Sequence, residues 1–327
     1  MATERASFLR PSPDRGDTIA AAAVALTVLV AMVNARFGTE WGRGIHFVYT
    51  AAAALVAIGM AAMSPRPTER PAGWQSVLFV ASFVLFFAAL ANLADLLGAD
   101  DAPFGSSGTI VWVGLLLAGL AAWFATGWNS GISTLLCALT LVVVILAFID
   151  WVFSPEEVDT FRWILLLIAL GFGGFGAARR PSEPDHAVGF VNAAGIALFL
   201  LAATFLVELV VSAAFGGVTD LGSPVGSTGW GWELVIFAGS AALIAYAVIA
   251  RQAGPGYLGA LNLLAFVLLA GGAGEDGPSL IGWPLVLIIV TAGLFALGRG
   301  NGGTGAGVPA RPAPDPSESP TAVQPRP

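Results

Sequence analysis

The sequence predicts an all-α membrane protein of ten transmembrane helices arranged as repeated hairpins, with both termini in the cytoplasm. Three observations carry this reading. Of the 327 residues 57% are hydrophobic and 11% charged, with a mean hydropathy of +0.82, whereas a soluble domain carries roughly 25% charge. Apolar residues come in long runs such as 19–33 and 135–148 rather than in amphipathic stripes, and runs of about 18 or more with few charges are membrane spans. The arginines fall unevenly between the connecting segments. Together these exclude an ordinary globular enzyme, a secreted disulfide scaffold and a disordered chain.

Residues 1–17 form a cytoplasmic N-terminal segment. Arg5, Arg10 and Arg15 precede the first span and imitate a signal peptide, but no small-x-small cleavage site follows cleanly and nine more spans do, so the first helix is retained. The transmembrane domain covers 18–298, with spans at 18–35, 45–63, 75–97, 109–126, 131–152, 161–178, 188–213, 231–250, 256–273 and 281–298. Pro, Gly and charge mark the breaks, as at Ser64-Pro65-Arg66-Pro67, Asp100-Asp101-Ala102-Pro103, Arg179-Arg180-Pro181 and Gly254-Pro255-Gly256.

With the N-terminus inside, eleven arginines lie on inner segments and only Arg36, Arg43 and Arg162 on outer ones, as the positive-inside rule requires. One span more or fewer would reverse every arginine beyond it. Thirteen of the 21 acids fall outside, and Trp41, Trp112, Trp151, Trp163, Trp230, Trp232 and Trp283 sit at outer boundaries, as an aromatic belt would. Residues 299–327 hold seven prolines from Pro309 onward, a composition that buries no core and reads as a disordered cytoplasmic tail.

All 14 basic residues other than histidine are arginine, with 41 Gly and 20 Pro. That is the mark of a high-GC genome, so the expected location is a bacterial cytoplasmic membrane. Cys137 is a single cysteine in an apolar run, and His46 and His186 are the two histidines. No intramolecular disulfide can form, and a structural zinc site normally takes four ligands. No metal site and no cofactor are expected.

Residues 163–180 align without gaps on 283–300, with Trp163/Trp283, Gly173/Gly293, Phe175/Phe295 and Arg179/Arg299 among the identical pairs. At the same offset of 120, Trp112 and Gly119 meet Trp232 and Gly239. The copies lie four spans apart, so both point the same way. Ten spans in about 300 residues are similar in size to the drug/metabolite transporters, whose five-helix halves are inverted; a same-direction repeat departs from that pattern. The chain is a series of helical hairpins about 60 residues long. The stretches 146–163 and 256–266 resemble uncharacterised multi-pass membrane proteins of actinobacteria. That resemblance implies the topology and no activity.

Gly171-Phe-Gly-Gly-Phe-Gly176 spells GxGxxG, but it lies within a membrane helix, so helix packing is the expectation. There is no GxSxG, HExxH, P-loop or CxxC pair, and no catalytic residue is assigned. Asp95, Asp150, Glu208 and Glu275 lie near the outer ends of outward-running helices, where the macrodipole disfavours negative charge. Asn92 and Asp95 share a face at i, i+3, and Thr204, Glu208 and Ser212 form an i, i+4, i+8 stripe. These five residues are the candidate outer polar pocket; the bland alternative is a set of solvated boundary residues. Arg162 and Asp159 read as an exposed pair, and Asn192 and Asn262 as bonds across helices. No span carries a charge at its centre, which argues against an ion-coupled pump.

The expectation is a non-catalytic integral membrane protein, structural or engaged with lipid or a membrane-protein partner. The alternative is a permease or carrier for a small neutral or hydrophobic solute. The lipid bilayer is a partner in either case, and nucleic acid is not.

Overall fold

The computed structural model describes residues 15–37, 40–67, 71–99, 105–215 and 229–272, the side chains of 212–215 and 271–272 excepted. Nine helices make up this part: α1 Gly16–Phe37, α2 Arg43–Met63, α3 Gly73–Leu96, α4 Ser107–Trp128, α5 Gly131–Phe153, α6 Val158–Arg179, α7 Pro184–Phe215, α8 Trp230–Ala250 and α9 Ala253–Gly272. No strand occurs among the described residues, and all nine helices are long and apolar enough to cross a membrane. The nine match the first nine expected spans to within a few residues. The tenth, 281–298, and the tail lie outside the described residues. The chain divides into two units, Met1–Ala273 and Gly274–Pro327, and the described residues all belong to the first.

Local chemistry sets the helix ends. Ser106 and Ser130 cap α4 and α5, each side-chain oxygen accepting a backbone N–H three residues on at 3.3 Å. α4 ends at Asn129, in the left-handed region at φ 52°, a conformation asparagine tolerates better than most residues. One helix thus closes and the next opens within two residues. Arg251 closes α8 in the same way at φ 53°, two residues before α9.

Packing follows the connections. α2 pairs with α3, α4 with α5, α6 with α7 and α8 with α9, while α1 packs on α3, α5 on α7 and α7 on α9. The odd-numbered helices therefore form one row, with the even-numbered ones laid along it. The buried side chains fall into separate clusters along this row. Val30, Ala53, Ala57, Leu85 and Ala89 knit α1 to α3, Leu90, Val113 and Leu117 join α3 to α4, and Val191, Leu198 and Leu243 join α7 to α8. Large apolar side chains such as Leu55, Val56, Leu167, Leu170, Val248 and Ile249 face outward, as they do where lipid is the solvent.

Two ends can be told apart by charge. Asp95, Asp150, Arg162 and Glu208 mark one, the acidic end; Arg66, Arg179, Arg180 and Arg251 mark the other, the basic end. Between them the buried serines bond back to their own helices. Ser82 donates to the Leu78 carbonyl at 2.8 Å and Ser240 to that of Ile236 at 2.6 Å. Asn262 donates across helices to the Gly195 carbonyl at 3.0 Å, the interhelical bond expected of it.

Candidate functional site

The candidate pocket residues fall into two clusters on different hairpins. In the first, Arg43 at the start of α2 faces Asp95 at the end of α3, with Nε 3.4 Å from Oδ1 and one NH group donating to the Asp95 backbone carbonyl at 3.3 Å. Asn92, one turn earlier, donates to Thr50 Oγ1 at 3.2 Å, and Thr50 donates to the His46 carbonyl at 2.7 Å. His46 is 7% exposed. Its Nδ1 lies 3.0 Å from Asn34 Oδ1, which also accepts the Tyr49 hydroxyl. With Nδ1–H donating to that oxygen, Nε2 carries the free lone pair, and it is buried without a partner.

In the second cluster Arg162, 7% exposed, joins α6 to α7. Its Nε donates to Thr204 Oγ1 at 3.1 Å and one NH group to Asp159 Oδ1 at 2.6 Å. The other NH group lies 2.6 Å from Glu208 Oε2, an ion pair without hydrogen-bond alignment. The guanidinium carbon sits 3.8 Å from the centre of the Phe205 ring, whose other neighbour is Trp232 of α8. Arg162 is thus buried, whereas its pairing with Asp159 read as exposed. The sequence showed the i, i+3 acid but not the α7 face that covers the guanidinium.

Thr204 and Glu208 therefore meet at Arg162, whereas Asp95 meets Arg43 and Asn92, one turn earlier, meets Thr50. α3 and α7 do not pack on each other. Ser212 belongs to α7, and its side chain lies outside the described residues. Between the two clusters, Ser107 of α4 donates to Asp150 of α5. Three successive hairpins thus close their acidic ends in one manner, an acid late in the odd helix meeting a donor early in the even helix. Because the acids sit in different hairpins, Asp95→Asn and Glu208→Gln are expected to add within about 0.5 kcal/mol. Unfolding of both single variants and the double in one detergent measures this, and a larger coupling would mean that the two clusters communicate.

Position decides what these clusters can do. Asp95 lies 22 residues beyond Gly73 and Glu208 lies 24 beyond Pro184, about 33 and 36 Å along their helices. The hydrocarbon core is about 30 Å thick, so both carboxylates stand at a boundary. Sequence reasoning missed Asn34, Arg43, His46 and Tyr49. The spacing of Arg43, His46 and Thr50 at i, i+3, i+7 was the available signal, since it puts all three on one helix face.

Two of the cavities elsewhere among the described residues bear on function. One of 290 Å³ opens at the basic end among the starts of α3, α5, α7 and α9, lined by Ser76, Asn129, Asp185, Asn192 and Gln252. The other, about 600 Å³, is a groove between α6 and α8 floored by α7. Its walls hold Gly173, Gly174 and Ala177 on one side and Ala238, Gly239 and Ala242 on the other, and Tyr246 supplies the sole polar side chain. The GxGxxG stretch serves two purposes here. A Cβ on Gly176 would come within 2.9 Å of the Ala187 carbonyl oxygen, whereas one on Gly174 would meet nothing within 4 Å. Gly176 lets α6 and α7 touch, and Gly174 lines open space.

Comparison with protein-family models, with curated proteins and with solved structures gave no match.

Proposed function

We propose that this polytopic membrane protein is non-catalytic and works by engaging lipid or a membrane-protein partner in a bacterial cytoplasmic membrane. The observation that carries the reading is the confinement of charge to helix ends. Arg43 with Asp95 and Arg162 with Glu208 tie neighbouring helices together, while the described interior between the ends is apolar (Ala, Leu, Val, Ile and Phe) apart from serines bonded to their own helices and Asn262. Arginine-tied carboxylates act as fasteners rather than as free acids and bases. In this reading the topology has ten spans with both termini cytoplasmic. The hairpins form a same-direction repeat at an offset of 120, and the resemblance to actinobacterial membrane proteins reflects common descent.

A carrier for a small neutral or hydrophobic solute is the second reading, favoured by the 600 Å³ groove, which falls within the usual range for ligand pockets. Gentle purification of the full chain followed by native mass spectrometry separates the two. The expected result is a stoichiometric protein partner or retained phospholipid. A solitary protein holding one defined small neutral molecule would overturn the proposal in favour of the carrier.

A further inference from the structure

We propose that the groove between α6 and α8 is a binding site for one acyl chain of an anionic phospholipid, whose phosphate is held at the basic end by Arg180 and the Tyr246 hydroxyl. The inference rests on the lipid-engaging reading above and gives it a site and a lipid class.

Length argues first. The lining runs from Leu166 to Ala177 on α6 and from Val235 to Tyr246 on α8, eleven residue steps on each wall and therefore about 16 Å. That is half of a hydrocarbon core about 30 Å thick, the depth of one leaflet. A spanning helix would need about 20 residues and twice this length, so the groove suits a lipid tail better than a helix. The middle of each wall is glycine and alanine, and these leave a channel where, over α3, the seam between α2 and α4 is filled by Phe124 and Trp128 of α4 packed on Phe79 of α3.

Charge argues second. At its basic end the groove finishes at Tyr246, whose hydroxyl is buried with no hydrogen-bond partner. The half-buried Arg180 has its guanidinium 5.8 Å from the Tyr246 ring centre and spends one NH group on the Ile249 carbonyl at 2.9 Å, leaving its other donors for a ligand. Arg251 caps α8 beside it, and Arg179 is taken by Glu183 at 3.0 Å. An apolar slot ending in an unused hydroxyl and a guanidinium matches a phosphodiester above an acyl tail, and basic pockets between helices commonly hold such headgroups.

The test uses the full chain in detergent with phosphatidylglycerol and phosphatidylcholine of identical acyl chains, read by native mass spectrometry, together with the thermal midpoint in lipid-free micelles. Phosphatidylglycerol is expected to be retained in preference. Arg180→Gln should weaken it roughly fivefold, the worth of about one surface charge, and weaken phosphatidylcholine less, since its choline cation already offsets the phosphate, so that the preference between the two narrows. Gly174→Leu, whose Cβ would meet nothing within 4 Å, should abolish retention of both lipids without lowering the lipid-free midpoint, since leucine favours the helix over glycine.

Equal retention of the two lipids, or binding indifferent to both substitutions, would overturn the inference while leaving the proposed function standing. A drop in the lipid-free midpoint on Gly174→Leu would mean that a segment of the chain itself fills the slot, which also overturns it. A neutral small molecule displaced by Gly174→Leu would overturn this inference and the proposed function together.

Discussion

Arg162→Ala is expected to lower the stability of the purified protein by about 2–4 kcal/mol, measured as a shift in detergent-mediated or thermal unfolding. The side chain is 7% exposed and meets Thr204, Asp159, Glu208 and Phe205 in four directions. Truncation removes the hydrogen bond to Thr204, the cation–π contact with Phe205 and the packing of the alkyl stem. Glu208→Gln should cost less than about 1 kcal/mol, because the carboxylate is 58% exposed and the glutamine carbonyl oxygen can still face the Arg162 NH group.

Arg162→Lys should recover little of the loss, since a single ammonium cannot reproduce a fork aimed at three oxygens. Arg162→Met keeps most of the stem over Phe205 while deleting the charge. If Met proves as stable as arginine, the cluster fastens α6 to α7 by packing alone, and the ion pairs contribute nothing net. A loss for Met close to that for Ala would show that the charge–oxygen contacts carry the cost.

The same residues show how far a membrane sequence reports on its own fold. The nine helices were legible because a span announces itself within one segment, by about 20 apolar residues and a break such as Ser64-Pro65-Arg66-Pro67 or Arg179-Arg180-Pro181. The stripe of Thr204 and Glu208 was legible for a related reason, as i, i+4 neighbours share a helix face whatever surrounds them. What that face meets depends on a second helix, and no periodicity reports it. Arg162 lies 42 positions from Thr204, and nothing in Asp159-Thr-Phe-Arg162 indicates that α7 will cover the guanidinium. The pairing of Asp95 with Arg43 across 52 positions was hidden in the same way. The groove was invisible for a further reason. Gly173, Gly174 and Gly176 are alike in sequence, and whether a glycine admits a neighbouring helix or opens a slot is decided by the partner's side chains.

That distinction gives the second large effect. Gly259→Val is expected to destabilise the α8–α9 hairpin by about 1–3 kcal/mol, the usual cost of overpacking. A Cβ at this position would lie 2.8 Å from Ile244 Cγ1, 2.9 Å from the Ser240 carbonyl oxygen and 3.1 Å from the Ile244 backbone nitrogen. Two of those atoms belong to the backbone of a helix and cannot swing aside, so the helices must separate. Phe237 and Phe266, whose ring centres lie 5.2 Å apart across the same pair, must separate with them. Gly176→Val should behave alike in the α6–α7 hairpin, where the Ala187 carbonyl oxygen and the Val191 nitrogen stand in the way at 2.9 and 3.2 Å. Gly119→Ala is the control: nothing lies within 4 Å of its Cβ position, and alanine favours the helix by up to about 1 kcal/mol. Unfolding midpoints of the three variants in one detergent therefore rank the glycines by what they face. Equal midpoints would mean that the close approach of paired helices adds nothing to the stability of the row. A loss confined to Gly176 and Gly259 would assign that stability to backbone contact, which small residues allow and lipid cannot replace.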